Sequence, residues 1–238
     1  MIDPTEQNKG IIADFAPVRK GGEGVYFFDL DGTVLDSNGV WLDIDVEFLG
    51  RLGIDPVPDE YTDFVSHNSF NASAHYTREH YAPHMTVGEI VAGWQALAAE
   101  HYAHHLPLKP GAKELITALK ARGKRVALLT SCMPDLCASA MTRHGMLGLF
   151  DEVYYSHALN IEKSDPSLYR LIAQKENLAC EQCIMLDDSP DYLAAAKEAG
   201  WQIRGVYDPL FDHRREEMLA LCGKENCFHS LTGLLTLQ

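Results

Sequence analysis

Val25-Tyr26-Phe27-Phe28-Asp29-Leu30-Asp31-Gly32-Thr33 is the stretch whose reading decides the fold. Its first residues are apolar without alternation, the pattern of a strand buried on both faces, as in parallel sheets covered by helices. The run stops at an Asp-Gly turn, so the strand ends in a loop. Similar runs recur downstream. Residues 125–129 end in Thr130-Ser131, residues 152–155 follow, residues 183–186 end in Asp187-Asp188-Ser189, and residues 203–207 come last.

Helical patterns separate these runs. Pro110-Gly111 is expected to open a helix to about Ala121, closed by Gly123, and Pro134 another to about His144, closed by Gly145. Asp165 reads as an N-cap with Pro166 at the first helical position, and the helix runs through Glu176. Ser189 reads as the cap of a helix that Pro190 starts and Gly200 closes. Strands alternating with such helices predict an α/β fold, a parallel sheet covered on both faces. Residues 226–230 are expected to add an edge strand and residues 231–237 a short helix.

Residues 34–108 break this rhythm, being too long for a simple crossover. Their periodicity is helical: Trp41, Ile44, Phe48 and Leu52 recur near 3.6, and Thr86 with Glu89 forms a capping box ahead of Ile90, Trp94, Leu97 and Tyr102. The expected organisation is a leader over residues 1–23, an α/β core over 24–33 and 109–238, and a helical cap over 34–108. Such an insert would lie as a lid over the carboxyl ends of the strands, where open α/β sheets bind ligands.

Composition narrows the partners. The chain has 238 residues, 46% of them hydrophobic, with 20 basic and 34 acidic residues and a formal charge of −14. An acidic surface repels phosphate backbones, so nucleic acid is not an expected partner. No apolar run approaches the length of a membrane span, and no secretory h-region is visible. Six cysteines are too few for a disulfide scaffold, and Cys180 and Cys183 read as thiols at a helix–strand junction, so a reducing, cytoplasmic setting is expected. The chain is expected to be a monomer or a homodimer.

Chemistry collects at the strand ends. Asp29 and Asp31 lie two apart on an extended segment and so point the same way. Asp187 and Asp188 end the fourth run. Four neighbouring carboxylates are costly unless a cation sits among them, and hard oxygen ligands favour Mg²⁺. Thr130 and Ser131 offer hydroxyls, with the N–H groups of the following helix start, to an anion. Lys163, just before the Asp165-Pro166 helix start, supplies a point charge for a phosphate oxygen. Paired carboxylates, a metal, hydroxyls and one lysine make a phosphoryl-transfer site. One carboxylate can attack phosphorus while another moves the proton; on chemistry alone Asp29 and Asp31 could exchange these roles.

The chain resembles the haloacid-dehalogenase-like superfamily, in the branch with a helical cap after the first motif. The resemblance covers nearly all of residues 24–236. It rests on Asp29-Leu30-Asp31-Gly32-Thr33-Val34-Leu35-Asp36-Ser37, on Thr130 or Ser131 after an apolar strand, on Lys163 with Ser164-Asp165-Pro166, and on Asp187-Asp188-Ser189-Pro190. It implies a Rossmann-like three-layer core and a phosphatase or phosphomutase using Mg²⁺. In that scheme Asp29 is the nucleophile that forms an aspartyl-phosphate. Asp31 is the general acid and base, with its backbone carbonyl on the metal. Asp187 and Asp188 are metal ligands, and Thr130, Ser131 and Lys163 hold the phosphoryl oxygens. An aspartate at position 31 sets the chain apart from the dehalogenase and phosphonate-hydrolase branches.

Hydrolysis of a small phosphorylated metabolite, such as a sugar phosphate, is the expected activity. The alternatives are a sugar phosphomutase and a non-catalytic binding protein on the same fold, the latter disfavoured because the acidic motifs and Lys163 are intact. The insert carries seven of the chain's eleven histidines, read as solvated or core residues because neither i,i+4 pair has an accompanying acid. Within residues 66–78, Arg78 is the expected distal anion contact. Cys132 follows the phosphate-binding pair near a helix start, where thiol pKa tends to fall and oxidation becomes easier.

Overall fold

Successive side chains of a strand face opposite sides of its sheet, and β1 (Val25–Phe28) fills both sides with apolar groups. The computed structural model describes residues 24–68 and 70–235. The expected leader, residues 1–23, lies outside the described residues, as do residues 236–238. Phe27 packs with Ala127, Leu129 and Met185 on one face, and Phe28 with Val126, Leu128 and Leu186 on the other. β1 therefore sits at the centre of a six-stranded sheet with β2 (Arg125–Thr130), β3 (Glu152–Tyr155), β4 (Cys183–Asp187), β5 (Gln202–Val206) and β6 (Cys227–Phe228). The strand order is β3-β2-β1-β4-β5-β6, and every pairing is parallel. Because the order reverses at β1, the chain ends of β1, β2 and β4 open onto one crevice.

Between β1 and β2 the chain builds the helical cap: α1 (Val40–Arg51), α2 (Asp59–His67), α3 (Phe70–His80) and α4 (Val87–His104). Ile44, Phe48, Ile90, Trp94 and Leu97 are buried in a core continuous with one face of the sheet. The capping box at the start of α4 is present, with the Thr86 hydroxyl accepting from the Glu89 N–H and the Glu89 carboxylate accepting from the Thr86 N–H. The chain leaves and re-enters the core on two paired connections: the Asp36 N–H donates to the Pro107 carbonyl and the Lys109 N–H to the Val34 carbonyl, each at 2.9 Å.

The remaining helices cover the sheet. α5 (Ala112–Ala121), α6 (Pro134–Arg143) and α11 (Thr232–Leu235) pack on the cap side. α8 (Pro166–Glu176), α9 (Pro190–Glu198) and α10 (Arg215–Cys222) pack on the other, with the single-turn α7 (Ser156–Leu159) following β3. The result is the three-layer α/β/α core with an inserted helical cap. Among the described residues, no helix is long and apolar enough to cross a membrane.

Three local expectations change. Pro110 stays outside α5; Gly111 precedes the helix at φ +84°, and a Cβ there would stand 2.3 Å from the Thr232 backbone nitrogen, so packing against the start of α11 sets that turn. Ser189 precedes α9 without a side-chain cap bond; its backbone N–H instead donates to Asp187 Oδ1 at 2.8 Å. Trp41, expected on the buried stripe of α1, is 44% exposed.

The cap carries one half-buried acid that tests its packing. Burial pushes the Asp45 carboxyl up to about 6, although the Tyr61 hydroxyl, 2.8 Å away, favours the charged form. A raised carboxyl stabilises the fold when protonated, and that contribution disappears as pH climbs from about 4 through about 6. Asp45→Asn keeps an acceptor for Tyr61 without the charge. It should stabilise the protein at pH 7 by about 1 kcal/mol, after allowing for solvent screening, and flatten stability between those pH values. Urea melts across pH check this; parallel pH curves for both proteins would show that Asp45 ionises freely.

Candidate active site

β1 and β4 run side by side, and the Asp29 N–H donates to the Leu186 carbonyl one step past the paired residues. That register brings Asp29, Asp187 and Asp188 to one point. Carboxylate oxygens of the three lie within 4.8 Å of one another, and their exposures are 6%, 0% and 3%. Lys163, 1% exposed, reaches in from the loop before α8 and donates to Asp29 Oδ1 at 2.5 Å and to Asp187 Oδ2 at 2.8 Å. The Tyr169 hydroxyl on α8 donates to the Lys163 carbonyl, fixing that loop.

Asp188 accepts from the Asn38 amide at 2.7 Å and from the Thr33 hydroxyl at 3.3 Å. Its approach depends on Gly32, which has φ +81°; a Cβ there would come within 2.1 Å of Asp188 Oδ2. The glycine of the first motif is thus required both by its turn and by the carboxylate against it.

Three buried carboxylates share one ammonium, so the cluster as a set of ionised groups is two negative charges in excess. Oxygen donors of this number and charge fit a hard divalent cation. Titration behaviour reflects the same imbalance. Burial, opposed by Lys163 and reinforced by Asp187, Asp188 and Asp31, holds the Asp29 carboxyl well above the usual carboxylate range. Burial and Asp187 push Asp188 up to about 7. Burial acts to lower Lys163, but Asp187 and Asp29 outweigh it and raise the ammonium's pKa overall.

Asp31, expected as one of four neighbouring carboxylates around a cation, has its side chain outside the three-carboxylate group. Its Oδ1 accepts from the Tyr102 hydroxyl at 2.6 Å and from the Ser37 hydroxyl at 2.7 Å. Thr130, 1% exposed at the end of β2, accepts the Cys132 N–H on its hydroxyl oxygen at 2.9 Å, which leaves the hydroxyl proton to donate. The Ser131 hydroxyl lies 3.0 Å from that of Ser156. Asp29, Asp31, Thr130, Ser131 and Asp188 line one crevice of about 350 Å³. Lys163 and Asp187 stand behind it.

Other sequence expectations fall away from the crevice. Arg78 lies exposed on α3 and is not among the lining residues. The helical period of α3 buries Ser73, Ala74 and Thr77 and turns position 78 outward. Cys132 does line the crevice, but burial, with Asp31 beside it, pushes its thiol up, against the lowering expected near a helix start. Among the described residues, histidines and cysteines join no metal-binding group.

Sequence reasoning passed over Ser37, Asn38 and Tyr102 as functional residues. Ser37 sat inside the quoted motif and Asn38 beside it. Tyr102 carried no distinguishing sign, because a buried tyrosine on the apolar stripe of α4 has the same spacing whether or not its hydroxyl reaches a partner.

A family model described as haloacid dehalogenase-like hydrolase matches residues 24–200. Protein CbbY of Cereibacter sphaeroides is 28% identical over 224 residues, covering 89% of this chain and 95% of that protein. Validoxylamine A 7'-phosphate phosphatase of Streptomyces hygroscopicus subsp. limoneus is 28% identical over 176 residues, 74% of this chain and 82% of that one. The crystal structure of CbbY from Rhodobacter sphaeroides in complex with phosphate aligns with a TM-score of 0.69 at 22% identity, covering 90% of this chain and 96% of that one, a likeness of fold.

The excess negative charge has a measurable consequence. Without a cation, ionising Asp188 costs stability as pH rises through about 7. Saturating Mg²⁺ should raise the melting temperature at pH 7.5 by about 5–10 °C. Asp188→Asn, which can still face Asn38 and Thr33, should melt higher than the native chain in EDTA and lose most of the Mg²⁺ increment. Equal Mg²⁺ increments in both proteins would place the cation elsewhere.

Proposed function

The chain belongs to the haloacid dehalogenase-like hydrolases, and from that membership we propose that it hydrolyses a small phosphomonoester through a phosphorylated Asp29. The carrying observation is the juxtaposition of a buried carboxylate cluster on Lys163 with Asp31, held separately by two hydroxyls, at the mouth of one crevice. A neighbour in fold, CbbY from Rhodobacter sphaeroides, was solved in complex with phosphate, which supports a reading toward phosphate chemistry.

In the first step an Asp29 oxygen attacks phosphorus in line with the leaving oxygen. The phosphorus–alkoxide bond breaks, and Asp31 gives its proton to the departing alkoxide. Both Tyr102 and Ser37 bind Oδ1 of Asp31, so the mobile proton is assigned to Oδ2. In the second step the now ionised Asp31 takes a proton from water, the water oxygen attacks phosphorus, and the bond to Asp29 breaks to free inorganic phosphate. Lys163 balances charge near Asp29 throughout, and Thr130 and Ser131 donate to the phosphoryl oxygens.

Asp29, Asp187 and Asp188, with the Asp31 backbone carbonyl, would hold Mg²⁺, which when bound neutralises charge on the transferring group. Residues 34–108 act in this reading as a cap: Tyr102 closes onto Asp31 from α4, and closure keeps bulk water out. A mutase would need a way to re-seat the intermediate's second phosphate; no lysine or arginine lines the crevice among the described residues, which favours release of phosphate. Six unpaired cysteines support a reducing, cytoplasmic setting.

Phosphate release from a panel of phosphomonoesters tests the proposal. Activity should require Mg²⁺ and vanish in EDTA. Asp29→Asn should fall to background, and Asp31→Asn should lose about 10²–10⁴-fold in kcat. Equal release by native chain and Asp29→Asn would overturn the assignment, and an isomerised product without free phosphate would make the protein a mutase.

A further inference from the structure

Beside its carboxylates and hydroxyls, the crevice is lined by Trp41 and Tyr102 from the cap and by Met133, Leu136, Tyr192 and Phe211 from the core. Trp41 and Met133 are 44% and 56% exposed, so large apolar groups from both sides stand open to whatever enters. No lysine, arginine or histidine lines the crevice among the described residues, and Arg78 points elsewhere. Lys163 is already shared by Asp29 and Asp187.

Trp41 is not a loose surface residue. Its ring meets Phe70 edge-on at 5.7 Å between centroids, Phe70 meets Trp94 at 5.2 Å, and Trp94 meets Phe48 at 5.8 Å. Trp94 and Phe48 are buried in the cap core. The ladder holds the indole from behind while much of it stays uncovered, which is a pre-set platform for a flat apolar partner.

Resting on the phosphatase reading above, we propose that the crevice selects phosphomonoesters whose leaving alcohol is uncharged and carries an apolar ring face that packs on Trp41. A leaving group with a second phosphate or a carboxylate would meet three lining carboxylates and large apolar side chains, with no lysine, arginine or histidine among the lining to receive it, inside a chain of net charge −14. An aromatic ring and the C–H face of a saturated ring share the required chemistry.

Steady-state kinetics on phenyl phosphate, cyclohexyl phosphate, glycerol 3-phosphate, phosphoglycolate and fructose 1,6-bisphosphate test this. Both ring substrates should exceed the two doubly anionic ones by about tenfold or more in kcat/KM, and the ratio of phenyl to cyclohexyl separates aromatic stacking from C–H packing. Trp41→Ala should raise KM for the ring substrates about tenfold more than for glycerol 3-phosphate, and Trp41→Phe should restore most of the difference. Asp29-dependent release with no ring preference, or with phosphoglycolate or the bisphosphate favoured, overturns the inference alone. Release that Asp29→Asn does not abolish overturns the phosphatase reading and this inference together.

Discussion

Mutual repulsion among buried carboxylates is the constraint around which this protein is arranged. Asp29, Asp187 and Asp188 bring carboxylate oxygens within 4.8 Å of one another with little solvent, and one ammonium cannot balance them. Isolated, such a cluster would oppose folding. The surrounding architecture holds it in place: the parallel register of β1 and β4, the Asn38 and Thr33 donors on Asp188, the glycine turn at position 32 and the Tyr169 anchor on the Lys163 loop. A cluster in negative excess is one that a divalent cation would stabilise most.

The second governing contact is between lobes. Tyr102 belongs to α4, yet its hydroxyl bonds Asp31 on the loop after β1. The two chain connections at residues 34–36 and 107–109 are themselves hydrogen-bonded, and Lys109 pairs with both Asp36 and Asp208. Cap position and the orientation of the proposed proton carrier are therefore linked through one hydroxyl. The cap also brings Trp41 to the crevice wall, so the same helices that shield the chemistry shape what can reach it.

Much of this was legible in the primary structure. Strand cores such as Val25–Phe28 and Arg125–Thr130 announce themselves because burial on both faces removes polar residues. Pro166 after Asp165 marks a helix start because proline fits only where no N–H is needed and aspartate accepts one that is. Asp29, Asp31, Thr130, Lys163, Asp187 and Asp188 were legible because they end strands or sit beside helix starts, where local pattern predicts position. Arg78 and Trp41 are exposed, and the Cys132 thiol is pushed up where a helix start alone would lower it, because which face of a helix is covered, and which charges stand beside a thiol, depend on neighbours far away in the chain.

The sequence by itself determined a parallel α/β core with a helical insert, and the acidic and basic residues gathered at one edge of it. That information is local: it resides in periodicity, turn residues and capping. Only tertiary structure decided that Tyr102 and Ser37 grip Asp31, that Asn38 reaches Asp188, and that Trp41 is held open above the site while Arg78 faces solvent. Those contacts join residues as many as 150 positions apart. Spacing along one element fixes which way a side chain points, but the packing of whole elements fixes what it meets there.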